Sequence, residues 1–328
     1  MPPRWRSGAT VARAMAILSG LALVGACQGP PPGEDLARTP ARADWAAWPR
    51  GAGVGEVSAV DVDSHGHVFV LHRPGRDWVE PFASQPIAAP VVAMFDASGR
   101  LLARWGMGET VMPHGLSVAP DDSVWITDAA REQILRFGHD GTLLDTMGER
   151  GVSGDDTGHF GRPTDVAATR AALYVADGYA NHRILRFART VDQWGEKGGG
   201  AAGLAIPHSV AVSGNRVVVA DRENSRIKIY DAAGRVLRLI PVPGHPYAAK
   251  PLRDGRLVSI EGRDAADRQG AVLRLWSADG RQLAALNVAP DGSTRGHDLA
   301  IGADGTIYIA DVAGRRVLTL PLSRLTGD

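Results

Sequence analysis

Apolar and polar residues alternate along this chain in short runs, and the runs return in the same order. Pro113-His114-Gly115-Leu116-Ser117-Val118 leads through a turn at Asp121-Asp122 to Val124-Trp125-Ile126-Thr127-Asp128, and then to Ile134-Leu135-Arg136-Phe137. The series comes back from Pro163-Thr164-Asp165-Val166-Ala167 through Leu173–Asp177 to Ile184–Phe187. It comes back again from Pro207-His208-Ser209-Val210-Ala211 through Val217–Asp221 to Ile227–Tyr230. Alternation of this kind, rich in β-branched and aromatic residues and bounded by Asp-Gly or Ser-Gly turns, predicts β-strands. A unit of roughly 40 to 50 residues built from such strands cannot bury its apolar face alone, so its repetition predicts a propeller or a stack.

Aligning the first strand of each unit places Ser58, His114, Thr164, His208, Tyr247 and His297 just before it, at spacings of 56, 50, 44, 39 and 50 residues. Second strands include Val68–Leu71, Leu257–Ile260 and Ile307–Ala310; third strands include Val91–Phe95, Val272–Trp276 and Val317–Leu320; fourth strands include Leu101–Trp105, Leu143–Met147 and Gln282–Leu286. Four short antiparallel strands in each of six units predict an all-β fold, a six-bladed β-propeller. The last unit runs out of chain after Leu322, so the segment around Trp45 to Trp48 is expected to supply its outermost strand and close the ring.

The 328 residues are 44% hydrophobic and carry 36 basic against 36 acidic side chains, which suits one large soluble domain. A chain with no net charge and scattered arginines lacks the basic footprint of a nucleic-acid binder. The exception to globular patterning is the N-terminus. Arg4, Arg6 and Arg13 precede an apolar run from Ala14 to Ala26, too short to span a bilayer, so residues 1–26 read as a signal peptide. Cys27, the only cysteine, follows Val24-Gly25-Ala26 in a pattern that resembles a bacterial lipobox. Lipidation of Cys27 is expected, with Gln28 in the next position favouring the outer membrane, periplasmic face. Residues 27–43 are expected to be a disordered tether and residues 44–328 the propeller, a monomer without disulfides.

Candidate chemistry comes from the ring positions. His114, His208 and His297 occupy alternate units, about 120° apart in a six-fold ring, and would converge on the axis as a tripod. Three imidazoles with an open fourth position form a catalytic zinc site, although iron, copper or nickel accepts the same donors. The other histidines read as turn and loop residues: His65 and His67 lie in a hairpin at the opposite end, His139, His159, His182 and His245 lie in polar loops, and His72 alone is near the proposed face. Asp128, Asp177, Asp221 and Asp311 recur at the ends of second strands and read as structural acceptors of backbone N–H groups. The glycine runs at 51–55 and 198–200 are loops, since no helix follows to cradle a phosphate.

The Pro-His turns at Pro113-His114 and Pro207-His208, together with Asp177-Gly178-Tyr179, Gln193-Trp194-Gly195-Glu196, Ala220-Asp221-Arg222-Glu223-Asn224 and Gly296-His297-Asp298, make the chain resemble the peptidyl-α-hydroxyglycine α-amidating lyases, NHL-repeat propellers, over about residues 57 to 320. The resemblance implies a catalytic zinc on His114, His208 and His297, with Tyr179, Arg73 and Arg222 facing the substrate. It also implies a structural calcium on the axis, held by the Asp298 carboxylate and the carbonyls of Val60 and Leu116. The implied reaction cleaves the N–Cα bond of a C-terminal α-hydroxyglycine, giving an amide and glyoxylate, with Tyr179 as base and its pKa lowered by zinc, Arg73 and Arg222. The implied partner is a small peptide or related α-hydroxy-amide. Arg295-Gly296 departs from the family's Met-Pro before the third histidine, which bears on substrate identity. Two other readings are a non-enzymatic, lipid-anchored NHL scaffold and a six-bladed lactonase of the gluconolactonase type. The imidazole tripod argues against the lactonase, whose metal sits on carboxylate and amide ligands.

Overall fold

The alternating runs form short antiparallel strands in a computed structural model that describes residues 36–327. There are six sheets, five with four strands and the last with three, and within each sheet neighbouring strands are consecutive in sequence. The innermost strands are Glu56–Val62, Pro113–Val118, Asp165–Ala168, Pro207–Ser213, His245–Pro251 and Gly296–Ile301, here the inner strands of blades 1 to 6. This is the expected six-bladed β-propeller. The signal peptide and Cys27 lie outside the described residues. No helix among the described residues is long and apolar enough to cross a membrane.

The core is distributed around the ring instead of being concentrated at one centre. Each blade meets the next through its own apolar cluster: Phe69, Leu71, Leu116 and Ile126 join blades 1 and 2, for example, and Val218, Ile229, Ala249 and Trp276 join blades 4 and 5. The second strands are buried over most of their length, whereas outer strands such as Leu143–Met147 and Val191–Trp194 are largely exposed. Each buried aliphatic side chain contributes about 1.5–3 kcal/mol, so no single interface dominates the fold.

Polar side chains near the axis tie each inner strand to its neighbour. Asp61, Asp165 and Asp298 accept the N–H groups of Val118, Val210 and Val60 at 2.8, 2.9 and 3.2 Å, each in the following blade. The hydroxyls of Ser117 and Ser209 accept from Ala168 and Ala249 in the same way, at 3.5 and 3.3 Å. Between blades 5 and 6 an ion pair takes over, Lys250 Nζ to Asp298 Oδ1 at 3.6 Å.

Ring closure differs from expectation. Trp45 and Trp48 do not form the missing fourth strand. They pack between the last and first blades, Trp45 against Tyr308 and Phe95 at 4.9 and 5.5 Å between ring centroids and Trp48 against Phe95 and His72 at 5.0 Å. Large indoles fill a wedge between sheets better than they sit on an exposed edge. The sixth blade's outer strand instead meets residue 42, which pairs with Thr319 through two 2.9 Å backbone hydrogen bonds. Residues 38–42, expected to belong to the tether, form part of a strap: Arg38 bridges to Asn287 of blade 5, Arg42 to blade 6, and Ala47 to Arg100 of blade 1. Backbone pairing with exposed edges satisfies N–H and C=O groups that a polar, Pro-rich composition does not reveal.

Candidate metal centre

Thr164 directly precedes its strand, as expected, while the other five ring residues sit within theirs, at β-bulges. Pairing between the first and second strands shifts register at Ser58, His114, His208, Tyr247 and His297. A bulge leaves one residue unpaired and re-aims its side chain, which turns these residues from a blade interface towards the axis. Gly115 permits the approach that follows: a Cβ there would lie 2.6 Å from Thr164 O and Asp165 Oδ1.

In blades 2, 3, 4 and 6 the aspartate that ends the second strand holds the incoming chain. Asp128 accepts from Val111 and Met112 at 2.5 and 3.0 Å, Asp177 from Gly161 at 2.7 Å, Asp221 from Ala205 at 2.7 Å and Asp311 from Arg295 at 2.8 Å. The structural reading of these carboxylates therefore holds, with a refinement. Beyond these bonds to the loop that precedes the ring residue, Asp128 and Asp311 accept backbone N–H groups of the turn that follows, at Ala130, Arg131 and Gly314, and Asp177 and Asp221 accept the side-chain amides of Asn181 and Asn224 there.

His114, His208 and His297 converge. Their rings are 4.7–4.9 Å apart by centroid, and one nitrogen of each lies within 4.8 Å of the other two. Each Nδ1–H donates to the carbonyl of the next blade's ring residue: His114 to Thr164 at 2.6 Å, His208 to Tyr247 at 2.8 Å and His297 to Ser58 at 2.6 Å. That bond fixes the tautomer and leaves Nε2 as a bare lone pair directed inward. All three residues are buried. Burial drives their pKa values down, His114 to about 3 and the other two well below the ordinary imidazole value, with Arg73, Arg222 and the neighbouring imidazoles adding to the effect. His208 Nε2 has no hydrogen-bond partner. A buried, unpartnered acceptor among neutral imidazoles fits a divalent cation.

The other expected residues gather on the same face. Tyr179 donates its hydroxyl to His114 Nε2 at 3.0 Å. Burial raises its phenol pKa, and Arg222 and then Arg73 oppose that rise without reversing it. Arg222 lies over the rings of Tyr247 and Tyr179 at 4.9 and 5.6 Å and pairs through Nε with Glu223 at 2.7 Å. Arg73 is fully buried, with Nε and Nη2 on Glu56 at 3.0 and 2.6 Å and Nη1 on Pro113 O at 3.2 Å. Three of its N–H groups are therefore held by the protein. Above the tripod lies a cavity of about 320 Å³ lined by Arg73, Arg222, Arg263 and Arg295 against Glu56 and Glu223, a formal excess of two positive charges.

Trp78 had no place in the expected site. Its ring centroid is 5.3 Å from that of His114 and 5.1 Å from that of Tyr179, and Arg73 stacks on it at 5.3 Å. The available signal was loop length: residues 74–91 separate the second and third strands of blade 1, where residues 129–132 suffice in blade 2.

The calcium expectation fails the fit. Asp298 does face the axis, but its Oδ1 lies 3.6 Å from Lys250 Nζ and its Oδ2 takes the Val60 N–H. Asp61, Asp165 and Asp298 surround this one ammonium and hold its pKa up, against its own burial. A layer that carries its own cation leaves the implied carbonyl of Leu116 without a calcium to bind.

An NHL-repeat family model matches residues 204–230, the first three strands of blade 4. A probable peptidyl-alpha-hydroxyglycine alpha-amidating lyase of Caenorhabditis elegans is 28% identical over 82% of this chain and 83% of its own length. Peptidyl-alpha-hydroxyglycine alpha-amidating lyase 1 of Drosophila melanogaster is 30% identical over 83% of this chain and 58% of its length. The chain belongs to the peptidyl-α-hydroxyglycine α-amidating lyase family. It spans only 29–34% of the length of the vertebrate relatives that are named as monooxygenases. A gluconolactonase structure from Xanthomonas campestris superposes with a TM-score of 0.59 at 15% identity, covering 90% of this chain and 99% of that one, which demonstrates a shared fold and no more. Within the lyase family, the tripod, Tyr179 and the arginine-lined cavity of this chain form one continuous site.

Proposed function

We propose that this lyase cleaves the N–Cα bond of peptides ending in α-hydroxyglycine, or of a related α-hydroxy-amide, to release an amide and glyoxylate, with zinc held by His114, His208 and His297. The observation that carries the reading is the set of three Nδ1–H···O=C bonds, which holds three neutral imidazoles with their lone pairs turned to one point. When bound, such an ion supplies Lewis acidity, lowering the pKa of a hydroxyl placed on it.

The chain supplies binding and proton transfer. Arg222, whose one ion pair is through Nε, is placed to bind the glyoxylate carboxylate, with Arg295 and Arg263 adding positive potential to the cavity. Arg73, held by Glu56 and Pro113 and lining the same cavity, orients Trp78 and keeps N–H groups for the substrate carboxylate. Tyr179 is placed to take the hydroxyl proton as the C–N bond breaks and the hydroxyl-bearing carbon becomes an aldehyde, while the departing nitrogen gains a proton. Arg222 and Arg73 act on its phenol in the direction a base requires.

The test is zinc content together with glyoxylate release from an α-hydroxyglycine peptide. One zinc per tripod with turnover is expected; bound zinc without glyoxylate would overturn the reaction, and a chain that binds neither would be a scaffold. A lipid on Cys27 and an envelope location belong to the same reading. Mass spectrometry of the mature N-terminus tests them, with a diacylglyceryl adduct expected.

A further inference from the structure

The far end of the ring carries a second imidazole cluster, built on a different carboxylate. The hairpin turn between the first two strands of blade 1 contains Asp63, His65 and His67, with Gly66 at φ +84° allowing the reversal. His139 reaches it from the turn between the third and fourth strands of blade 2, its ring packed on Phe69 at 5.3 Å. Asp63 Oδ1 is fixed by the N–H groups of His65 and His67, both at 2.8 Å, so the carboxylate keeps its orientation whatever the imidazoles do. Its other oxygen, Oδ2, faces three imidazole nitrogens: His67 Nδ1 at 2.9 Å, His139 Nε2 at 3.0 Å and His65 Nδ1 at 3.8 Å. Asp122 adds a carboxylate oxygen 3.9 Å from His65 Nδ1.

Asp63, His65 and His67 each bring a donor atom within 4.8 Å of the other two, and His139 Nε2 joins from outside that group, 3.0 Å from Asp63 Oδ2. Donors around a tetrahedral zinc, with bonds of about 2.0–2.1 Å, lie about 3.3 Å from one another, and the three nitrogens straddle that distance from Asp63 Oδ2. The carboxylate is fully buried, while the imidazoles of His65, His67 and His139 are 60%, 31% and 35% exposed, so an ion has an approach from solvent.

We infer that Asp63, His65, His67 and His139 form a second divalent metal site of nitrogen-rich, zinc-like preference, clipping the first hairpin of blade 1 to blade 2. Metal at the inward nitrogens replaces the imidazole hydrogens there, which shift to the outward nitrogens of the same rings, so neutral imidazoles bind without losing a proton overall. Copper(II) and nickel(II) suit the same donors. The site is separate from the tripod and does not rest on the lyase reading.

The full chain, stripped with chelator and titrated with zinc chloride in a calorimeter, tests it, with dialysed samples analysed for bound zinc. Two equivalents are expected. The His65→Gln/His139→Gln variant, which keeps the Asp63 turn intact, should weaken one binding step at least about tenfold, while His208→Ala should remove the other. Copper(II) added to His208→Ala should then give a nitrogen-coupled electron-spin signal that is lost when His65→Gln/His139→Gln is combined with it. One equivalent in the wild type, abolished by His208→Ala alone, would overturn the proposal. So would two steps left unchanged by the double variant.

Discussion

The axis carries two polar layers on the same inner strands, and they treat cations in opposite ways. The upper layer consists of three neutral imidazoles, each anchored to a carbonyl of the next blade and without a charge of its own. The lower layer lies one to three residues further along those strands, where Asp61, Asp165 and Asp298 surround Lys250. Both layers are built by side chains that reach the next blade's backbone. Imidazoles donating outward leave lone pairs on the axis, whereas carboxylates accepting outward leave negative charge there. Only the carboxylate layer received a lysine, so the first can bind an external cation and the second has no need of one.

The pH signatures of the layers are also opposed. Histidines whose folded pKa is depressed contribute stability above the unfolded value near 6.5 that is lost as pH falls below it. Aspartates whose folded pKa is raised by burial, as at Asp61, Asp165 and Asp298, do the reverse. Their contribution is greatest in acid and is lost as pH rises through the folded value, and Lys250 offsets that loss.

The largest expected effect breaks the upper layer. His208→Ala should remove the tripod metal and lower glyoxylate release by on the order of a thousandfold or more, read by metal analysis and initial rates. Tyr179→Phe should leave that metal bound and lower kcat by about 10²–10⁴, the usual range for a lost general base; undiminished turnover would exclude the phenol. In the lower layer, Lys250→Met strands three carboxylates. Urea unfolding at pH 8 should show a loss of about 3 kcal/mol, the usual scale for breaking a buried pair. The deficit should be smaller at pH 5, where the carboxylates take up protons, and millimolar calcium should restore part of it. The wild type, which keeps Lys250 among the three carboxylates, should show a smaller calcium dependence in its Tm. The smallest effect concerns His72, a buried imidazole off the axis whose pKa burial lowers to about 3, with Arg104 adding to the shift. Its neutral form stabilises the fold above pH 6.5 and that contribution drains away towards pH 3. In His72→Phe the fall in Tm between pH 6.5 and 4 should be shallower by about 2–4 °C for each kcal/mol recovered.

Much of this was legible in the alternation of residues. The ring positions followed from aligning six repeats, and three histidines in alternate repeats implied convergence, because a closed ring converts spacing along the chain into angle about an axis. Other features were not legible. His65, His67 and His139 looked like ordinary turn residues, since nothing local brings a blade 2 turn to a blade 1 hairpin. Trp78 sits in a loop whose length was visible but whose direction was not. Residues 38–42 read as tether because backbone pairing with an edge strand leaves no compositional trace.

By itself, then, the sequence determined blade number, blade order and the residues that border the axis, all of which depend on periodicity along one chain. Tertiary structure decided what those residues do there. It set the bulges that turn them inward, the carbonyls that choose their tautomers, and the lysine that stands where a calcium was implied. Each of these depends on distances between blades, and the hydrogen bonds and charges that set them act through space between residues far apart in the chain.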